Sequence, residues 1–376
     1  MSVSTLPIRN GESRDCIVII NASKEGPCAP LGGIQKAIIG QIAALRSSGV
    51  DVCLLSAAHR CASIAREMGC TVHYDPRWHN GFKPLAIPDL ARTLIKLRKK
   101  RPAAILHHSG RTWLWGHMFF FGIPNIAILH RELIRPYRFF RRWLALSPGY
   151  AAQLQSLDRL SAWRLVQWAP NCLMREPDPA RKRSSSAHTS PEPGAGFTLG
   201  FLGRASEGKG LDMLLRAIRE LRANGTDIRL KIAGTIDPWI FTKADEYDLK
   251  EAIDPLGWQE NTNDFFGLID CLVLPSEKES FGLVLIEAME AKLPVIATRC
   301  NGPESIVLDN ETGLLVPIGS QRKLIQAIAM LANNPILAKQ LGEKGLERVQ
   351  INFTPRAISG LLLASLTRLG AKFTKP

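Results

Sequence analysis

The feature that most constrains this chain is an alternation, run twice, between short Ile/Val/Leu-rich segments and longer segments of helical period. In the first half the apolar runs fall at 16–21, 50–56, 70–74, 103–107, 125–130 and 144–147, with helix-like stretches at 34–46 and 87–100. Runs of four to seven apolar residues suit strands buried on both faces, and helices between them suit the crossovers of a parallel sheet. Residues 1–173 therefore predict one doubly wound α/β domain. From 174 to 196 the pattern collapses into Arg-Glu-Pro-Asp-Pro, a Lys182-Arg183 pair, three serines and Pro-Glu-Pro-Gly, a composition that builds no core and reads as a linker or surface loop. Alternation then resumes. Strands are expected near 198–202, 229–233, 271–274 and 294–298, and helices near 211–223, 281–291 and 321–333, which makes residues 197–353 a second doubly wound domain. No internal repeat of solenoid period is present.

Length agrees with this division, since 376 residues with 45% hydrophobic content suffice for two medium cores. The longest apolar candidate for a membrane span, 113–128, is broken by His117, Pro124 and Asn125, and reads as a buried helix followed by a buried strand. Residues 1–15 are polar and lack an apolar core of signal-peptide length, so a cytoplasmic protein is expected. The eight cysteines show no CxxC spacing and sit in or beside apolar runs, which predicts buried free thiols.

Charge is distributed unevenly. Residues 1–172 carry 23 Lys or Arg against 9 Asp or Glu, whereas residues 196–376 carry 21 against 22. The whole +14 excess lies before the linker, so the first domain is expected to meet something anionic: membrane headgroups, a phosphorylated glycan or nucleic acid. Within it Arg131, Arg135, Arg138, Arg141 and Arg142 are interleaved with Tyr137, Phe139, Phe140 and Trp143, a mixture suited to a headgroup interface, and a second basic cluster runs from 98 to 101. Peripheral attachment to the inner face of an anionic plasma membrane is expected. No nucleic acid partner is expected.

In open parallel sheets, ligands sit outside the carboxyl ends of the strands, and a cleft between two such domains is the expected place for a reaction. Three loops of the second domain carry suitable chemistry. After the strand at 198–202, Gly203 permits close approach of a ligand, and Arg204 and Lys209 bring two cations to where a diphosphate would lie. After the strand at 271–274, Glu279 falls on the loop and Ser280 is placed to cap a helix starting near Phe281. The amides of Phe281, Gly282 and Leu283 and the helix dipole would then favour a phosphate oxygen. Glu279 would reach a sugar and Glu287, in an otherwise apolar run, a ribose. The third loop, 301–304, adds Glu304 on the same side.

Taken together, Glu279-Ser-Phe-Gly-Leu-Val-Leu-Ile-Glu287-Ala-Met, Leu293-Pro-Val-Ile-Ala-Thr and Thr312-Gly-Leu-Leu-Val-Pro317 resemble the group 1 (family 4) glycosyltransferases. Gly203-Arg204, Lys209-Gly210, Ile232-Ala-Gly234 and Leu256-Gly257-Trp258 fit the same family in order, and the resemblance is specific from about 198 to 317. It implies a GT-B architecture of two Rossmann-like domains and a retaining, metal-independent enzyme that takes a nucleotide-diphosphate sugar as co-substrate and needs no other cofactor. It puts the donor sugar on Glu279, the ribose on Glu287 and the diphosphate on Arg204, Lys209 and the amides of Phe281, Gly282 and Leu283. Gly32 and Gly33, before the helix at 34–46, match the family's glycine pair near the donor phosphate. His130, ending the strand at 125–129, matches a histidine that related enzymes place beside the transferred sugar, with His107 and His108 competing for the role. The amphipathic segment 354–370 is expected to pack back on the first domain. One departure is Lys292, where the family usually has glycine; a left-handed backbone there would cost about 1 kcal/mol.

No acidic DxD run stands where a metal would bridge a diphosphate, and no enzymic nucleophile is evident, which favours same-face attack by the acceptor with the leaving phosphate taking its proton. Two other readings stay open on sequence alone: a GT-B sugar-nucleotide epimerase, and a non-catalytic membrane- or nucleic-acid-binding protein with this fold.

Overall fold

The computed structural model describes residues 15–22, 31–78, 87–109, 112–130, 137, 139–157, 164–177 and 196–374. The chain divides into two compact units, residues 1–176 with 354–376, and residues 177–353.

In the first unit the elements run β1 (Cys16–Asn21), α1 (Gly33–Ser47), β2 (Asp51–Ser56), α2 (His59–Glu67), β3 (Thr71–Tyr74), α3 (Ile87–Lys99), β4 (Ala104–His107), α4 (Trp113–Phe119), β5 (Asn125–Leu129), β6 (Arg142–Ala145), α5 (Pro148–Gln155) and β7 (Leu165–Trp168). The strands form one parallel sheet in the order β3-β2-β1-β4-β5-β6-β7. Val18, Ile20, Cys53, Leu55 and Ile105 pack with Leu90, Leu94, Leu97 and Phe120 into one core cluster, and Ala127, Leu129, Phe140, Trp143 and Tyr150 into a second. Complete burial of a side chain such as Phe140 stabilises the fold by about 1.5–3 kcal/mol.

The second unit runs β8 (Phe197–Leu202), α6 (Leu211–Ala223), β9 (Ile228–Ala233), α7 (Trp239–Glu246), β10 (Ile253–Gly257), α8 (Thr262–Phe266), β11 (Cys271–Leu274), α9 (Leu283–Glu290), β12 (Val295–Thr298), α10 (Pro303–Ile306), β13 (Leu314–Val316), α11 (Gln321–Ala332) and α12 (Pro335–Asn352). Its parallel sheet has the order β10-β9-β8-β11-β12-β13. The final helix, α13 (Pro355–Arg368), belongs to the first unit, where it packs on α1 and β7. The Ser365 hydroxyl donates to the Trp168 carbonyl at 2.7 Å.

Each sheet begins at an interior strand, proceeds outward to one edge, then returns to the other side of the starting strand. The direction reverses between β1 and β4 in the first unit and between β8 and β11 in the second. Such reversal points open a crevice at the carboxyl ends of the strands, because the crossovers on either side leave over opposite faces.

Several sequence expectations are corrected. The helix expected from Phe281 starts at Leu283, and Ser280 does not cap it. The N-cap is Gly282 at φ 99, so the chain makes a left-handed turn before the helix, and Ser280 is buried instead. The segment 113–128 does form a helix and a strand, but the helix is not buried. Leu114 and Met118, one turn apart on α4, are 45% and 60% exposed, and Phe121 just past its end is 81% exposed. Of the expected aromatic headgroup face, Tyr137, Phe140 and Trp143 are core residues and Phe139 alone is exposed. Arg131, Arg135 and Arg138 lie outside the described residues. Among the described residues Cys16, Cys53, Cys61, Cys70, Cys172, Cys271 and Cys300 are free thiols, all but Cys16 buried, as expected. Burial pushes the Cys53 thiol up to about 12, which keeps it in the inert protonated form.

Candidate functional site

At the reversal point of the second sheet, the loops after β8 and β11 are locked together. Gly210, the N-cap of α6, has φ 72, and a Cβ there would lie 1.9 Å from the Pro275 carbonyl oxygen. Only glycine lets α6 start so close to the end of β11, and this places the preceding Lys209 against the next loop. Lys209 Nζ donates to Glu279 Oε2 at 3.0 Å, joining residues 70 positions apart. The other carboxylate oxygen, Oε1, accepts from the Phe281 amide at 3.5 Å, and the Glu279 carbonyl accepts from the Gly302 amide at 2.9 Å. The loop bearing Glu279 is thus tied to β8's loop on one side and to the loop after β12 on the other.

Phe281, buried, anchors the turn from below with Phe353, edge to face at 6.0 Å between ring centroids. Arg348 supports the adjacent α10, its guanidinium donating to the Ser305 carbonyl at 3.1 Å and also to that of Ile306. Above this base, Glu279, Lys209, Gly203 and Leu283 are partly exposed and Arg204 is exposed. Gly203 closes β8 at φ 151 and gives its amide to the Ala233 carbonyl at 2.9 Å. The structure therefore brings Gly203, Lys209, Glu279, Phe281, Gly282 and Leu283 to one strand-end crevice, with Arg204 on the loop beside it. Glu287 is one helical turn into α9 and partly exposed. Glu304 is exposed on α10. The Phe281 amide faces Glu279's own carboxylate, whereas the amides of Gly282 and Leu283 lie at the start of α9, where no intrahelical acceptor exists. Two cations, a carboxylate and a helix start can together hold a polyhydroxylated group carrying a diphosphate.

In the first unit, Gly32 is the N-cap of α1, with extended backbone at φ −77, and Gly33 is its first residue, where an added Cβ would meet nothing within 4 Å. Among the described residues nothing crowds Gly33. The three histidines are clearly sorted. His107 is completely buried on β4, its Nδ1 2.7 Å from Thr112 Oγ1 and its Nε2 2.9 Å from Asn125 Oδ1. Asn125 gives its amide nitrogen to the Ile123 carbonyl at 3.0 Å, so its oxygen must face His107, and Nε2 must carry the proton. Burial holds His107 down to about 4. A Cβ on Gly116 of α4 would lie 2.3 Å from Asn125 Oδ1, so glycine is what allows α4 to rest on this pair. His107 thus ties β4 to β5 and α4, with both ring nitrogens engaged. His108 and His130, at the ends of β4 and β5, face one another, with His108 Nδ1 2.7 Å from His130 Nε2. His108 is 3% exposed and His130 is partly exposed, so His130 is the member of the pair that a ligand can reach.

Of the proposed membrane arginines that are described, Arg141 is exposed. Arg142 is half-buried on β6 beside Gly370, with burial holding its guanidinium below the usual range. What sequence reasoning missed is the exposed apolar residues beside the basic cluster at 98–101. Arg98 of α3 donates to the carbonyl of Phe119 at the end of α4 at 3.0 Å, joining a helix that displays Arg92, Lys96 and Lys99 to the one displaying Leu114 and Met118. The apolar run at 113–128 pointed to burial and hid this, because the outward residues of its helix are as apolar as its inward ones. Among the described residues no cluster of three or more His, Cys, Asp or Glu is placed to hold a metal ion, and no helix is long and apolar enough to cross a membrane.

Comparison with known proteins agrees with this geometry. Residues 184–348 match the family model for glycosyl transferases group 1. The capsular polysaccharide biosynthesis glycosyltransferase CapM of Staphylococcus aureus is 28% identical over 174 residues, 43% of this chain and 43% of CapM, so that match takes in less than half of the relative. Among solved structures, Anabaena Alr3699/HepE in complex with UDP and glucose superposes with a TM-score of 0.73 at 15% identity, covering 94% of this chain and all of that one. This likeness establishes the GT-B fold. The lipopolysaccharide core biosynthesis glycosyltransferase LpsD of Rhizobium meliloti (strain 1021) is 26% identical over 350 residues, 91% of this chain and 96% of LpsD. Alignment with a transferase over nearly the whole of both chains, added to the family match across the second sheet, makes this chain similar to the group 1 glycosyltransferases.

Proposed function

We propose that the protein is a retaining, metal-independent glycosyltransferase that moves a sugar from a nucleotide-diphosphate sugar to a glycan or lipid-linked acceptor, in lipopolysaccharide core or other cell-envelope glycan synthesis. The observation that carries this reading is the Lys209–Glu279 pair at 3.0 Å, fixed by two interlocked strand-end loops at the reversal point of the second sheet. Lys209 has three donors and spends one on Glu279, which leaves it able to hold a phosphate oxygen while orienting the carboxylate toward sugar hydroxyls. Glu287 takes the ribose.

Cleavage of the bond between the anomeric carbon and the phosphate oxygen develops positive charge on the sugar and negative charge on the diphosphate. Arg204, Lys209 and the amides of Gly282 and Leu283 stabilise the leaving group, the role a metal plays in other transferases. The acceptor hydroxyl attacks from the face the phosphate leaves, and its proton passes to the departing phosphate oxygen. Retention of configuration rests on the family resemblance. For the first unit, the family resemblance assigns Gly32 and Gly33 to the donor phosphate and His130 to the transferred sugar.

The acceptor class follows from the names of LpsD and of the lipopolysaccharide core mannosyltransferase LpcC of Rhizobium leguminosarum bv. viciae. It accords with the +14 excess in residues 1–172. Attachment to the inner face of an anionic membrane is assigned to α3 and α4, where Leu114, Met118 and Phe121 supply an apolar row and Arg92, Lys96, Arg98 and Lys99 the cations. Thermal-shift screening of nucleotide sugars, followed by assays of sugar release with and without a lipid-linked acceptor, tests the proposal. Acceptor-dependent transfer is expected. Isomerisation of the donor without acceptor would identify an epimerase, and failure to bind any nucleotide sugar would identify a non-catalytic protein.

A further inference from the structure

The rings of His108 and His130 lie 4.9 Å apart between centroids, inclined by 29°, and a single proton occupies the 2.7 Å gap between His108 Nδ1 and His130 Nε2. Which ring owns that proton is decided at the far side of His108. Its Nε2 is buried and has no hydrogen-bond partner among the described residues. Were His108 the acceptor in the gap, its own proton would sit on Nε2 as a buried N–H without a partner. With His108 as the donor, Nε2 is instead a bare lone pair. An orphaned buried N–H is the rarer and costlier of the two. A doubly protonated His108 is disfavoured by burial and by the neighbouring His130 and His107, which hold it well below the usual histidine range. The backbone fixes the ring further, since the His108 amide donates to the Ile20 carbonyl at 3.1 Å and extends the pairing of β4 with β1.

We propose that His108 is a positioning residue that donates its Nδ1 proton to His130 Nε2, thereby fixing His130 in the tautomer that carries its own proton on Nδ1. His130 then has Nε2 engaged as an acceptor and Nδ1 protonated, so it has no lone pair with which to act as a general base. This inference rests on the reading of His130 as a contact of the transferred sugar. It is consistent with the acceptor's proton leaving on phosphate, because the one ring nitrogen of His130 that could have taken it is already occupied by His108. The side chain that makes this arrangement possible is invisible to a search for ligand contacts, since His108 is buried behind the residue it controls.

The test uses the full-length protein labelled with ¹⁵N-histidine, with the His130 ring signals assigned from the His130→Gln variant. Long-range proton–nitrogen correlation is expected to show His130 Nε2 as an unprotonated acceptor and Nδ1 as protonated. A protonated Nε2 would overturn the proposal whatever the activity. His108→Asn, whose amide nitrogen takes the place of the imidazole Nδ1, is expected to keep the His130 tautomer and turnover near the parent value. His108→Leu, which removes the donor at similar volume, is expected to lower kcat about 10- to 100-fold with little change in acceptor KM. If His108→Leu proves unstable, the Asn variant and the spectrum of the parent protein still decide the matter. Equal activity in folded His108→Leu and His108→Asn would refute the positioning role. Unchanged turnover in His130→Gln, with the tautomer as expected, would remove the sugar-contact reading and leave the tautomer assignment standing.

Discussion

The two sheets reverse direction at equivalent places, yet the residues gathered at the two reversal points are of opposite kinds. In the second unit the crevice is lined by glycines and by an ion pair, Lys209 with Glu279, in a segment with almost no net charge. In the first lie two facing histidines and a helix start made by Gly32 and Gly33, in a segment that carries the entire +14 excess. On the proposed function the same topology serves two chemical tasks. A site for a diphosphate and sugar hydroxyls must be tightly specified, which accords with loops clamped by the close approach at Gly210 and the hydrogen bond from Gly302. The proposed contact with an anionic surface needs net charge spread over helices, and the cations of α3 accord with it.

The largest expected effect tests the first half of this contrast. Glu279→Ala should reduce turnover by roughly 100-fold or more, because it removes a charged partner from the sugar and releases Lys209, while circular dichroism and thermal unfolding stay near the parent. Lys209→Ala should act in the same direction. Should either variant retain full kcat/KM, the crevice of the second unit is not the donor site, and the contrast collapses.

The membrane surface comes next. Met118→Glu combined with Phe121→Ser should weaken sedimentation with anionic vesicles by about 10-fold or more, since apolar burial and lipid electrostatics both suffer, and should leave turnover of a soluble acceptor analogue unaltered. Arg141→Ala should change sedimentation far less. The reverse ranking would return the interface to the 135–142 segment. Indifference of the parent protein to lipid charge would remove the membrane reading altogether.

Acid stability should separate the units without any substitution. His107 is held to about 4 in the folded protein, below the ordinary value of 6.5 that it regains on unfolding. Between those values the unfolded chain binds more protons, so stability rises with pH across the window. The contribution is fully present above pH 6.5 and is lost as pH falls toward 4, on the order of 3 kcal/mol in all. His108 shifts in the same direction. Residues 196–353 contain no histidine. Hydrogen exchange corrected for its intrinsic pH dependence should therefore show β4 and β5 losing protection between pH 6.5 and 4.5 before β8 and β11. Parallel loss in both sheets would show that the histidines do not set the acid limit.

How much of this was legible in the sequence depends on sequence distance and on edges. The interior strands β1, β11 and β8 stand out because burial on both faces leaves near-continuous apolar runs. The strands that escaped notice are edge strands: β7 with exposed Leu165, β10 with Pro255 inside it, and the three-residue β13. Half-solvated edges tolerate proline and polar residues, so their pattern is weak. The donor-loop residues were legible as a motif, but the Lys209–Glu279 bond was not, because 70 residues separate its ends and only the pairing of β8 with β11 brings them together. The His108–His130 contact, 22 residues apart, depends likewise on β4 lying beside β5.

The smallest expected effect concerns Lys292, which the structure places at φ 58, in the left-handed region just after α9. A residue with a Cβ pays about 1 kcal/mol there relative to glycine, and the unfolded-state entropy of a new glycine returns about 0.4–1 kcal/mol of that cost. Lys292→Gly should therefore be neutral to stabilising by up to about 0.6 kcal/mol, a rise of no more than about 1–2 °C in the transition of the second unit. Lys292→Ala keeps the Cβ and should give no rise, which makes it the control for loss of the lysine charge. The Lys292 carbonyl is packed so closely on Gly342 of α12 that an added Cβ there would lie 2.1 Å from it, so the turn cannot easily relax into another conformation. Because Lys292 lies at the end of α9 remote from Gly282, kcat should not change. A gain in stability for both variants would trace the effect to charge, and a loss for glycine alone would mean that the left-handed turn is held by α12 at no cost to lysine.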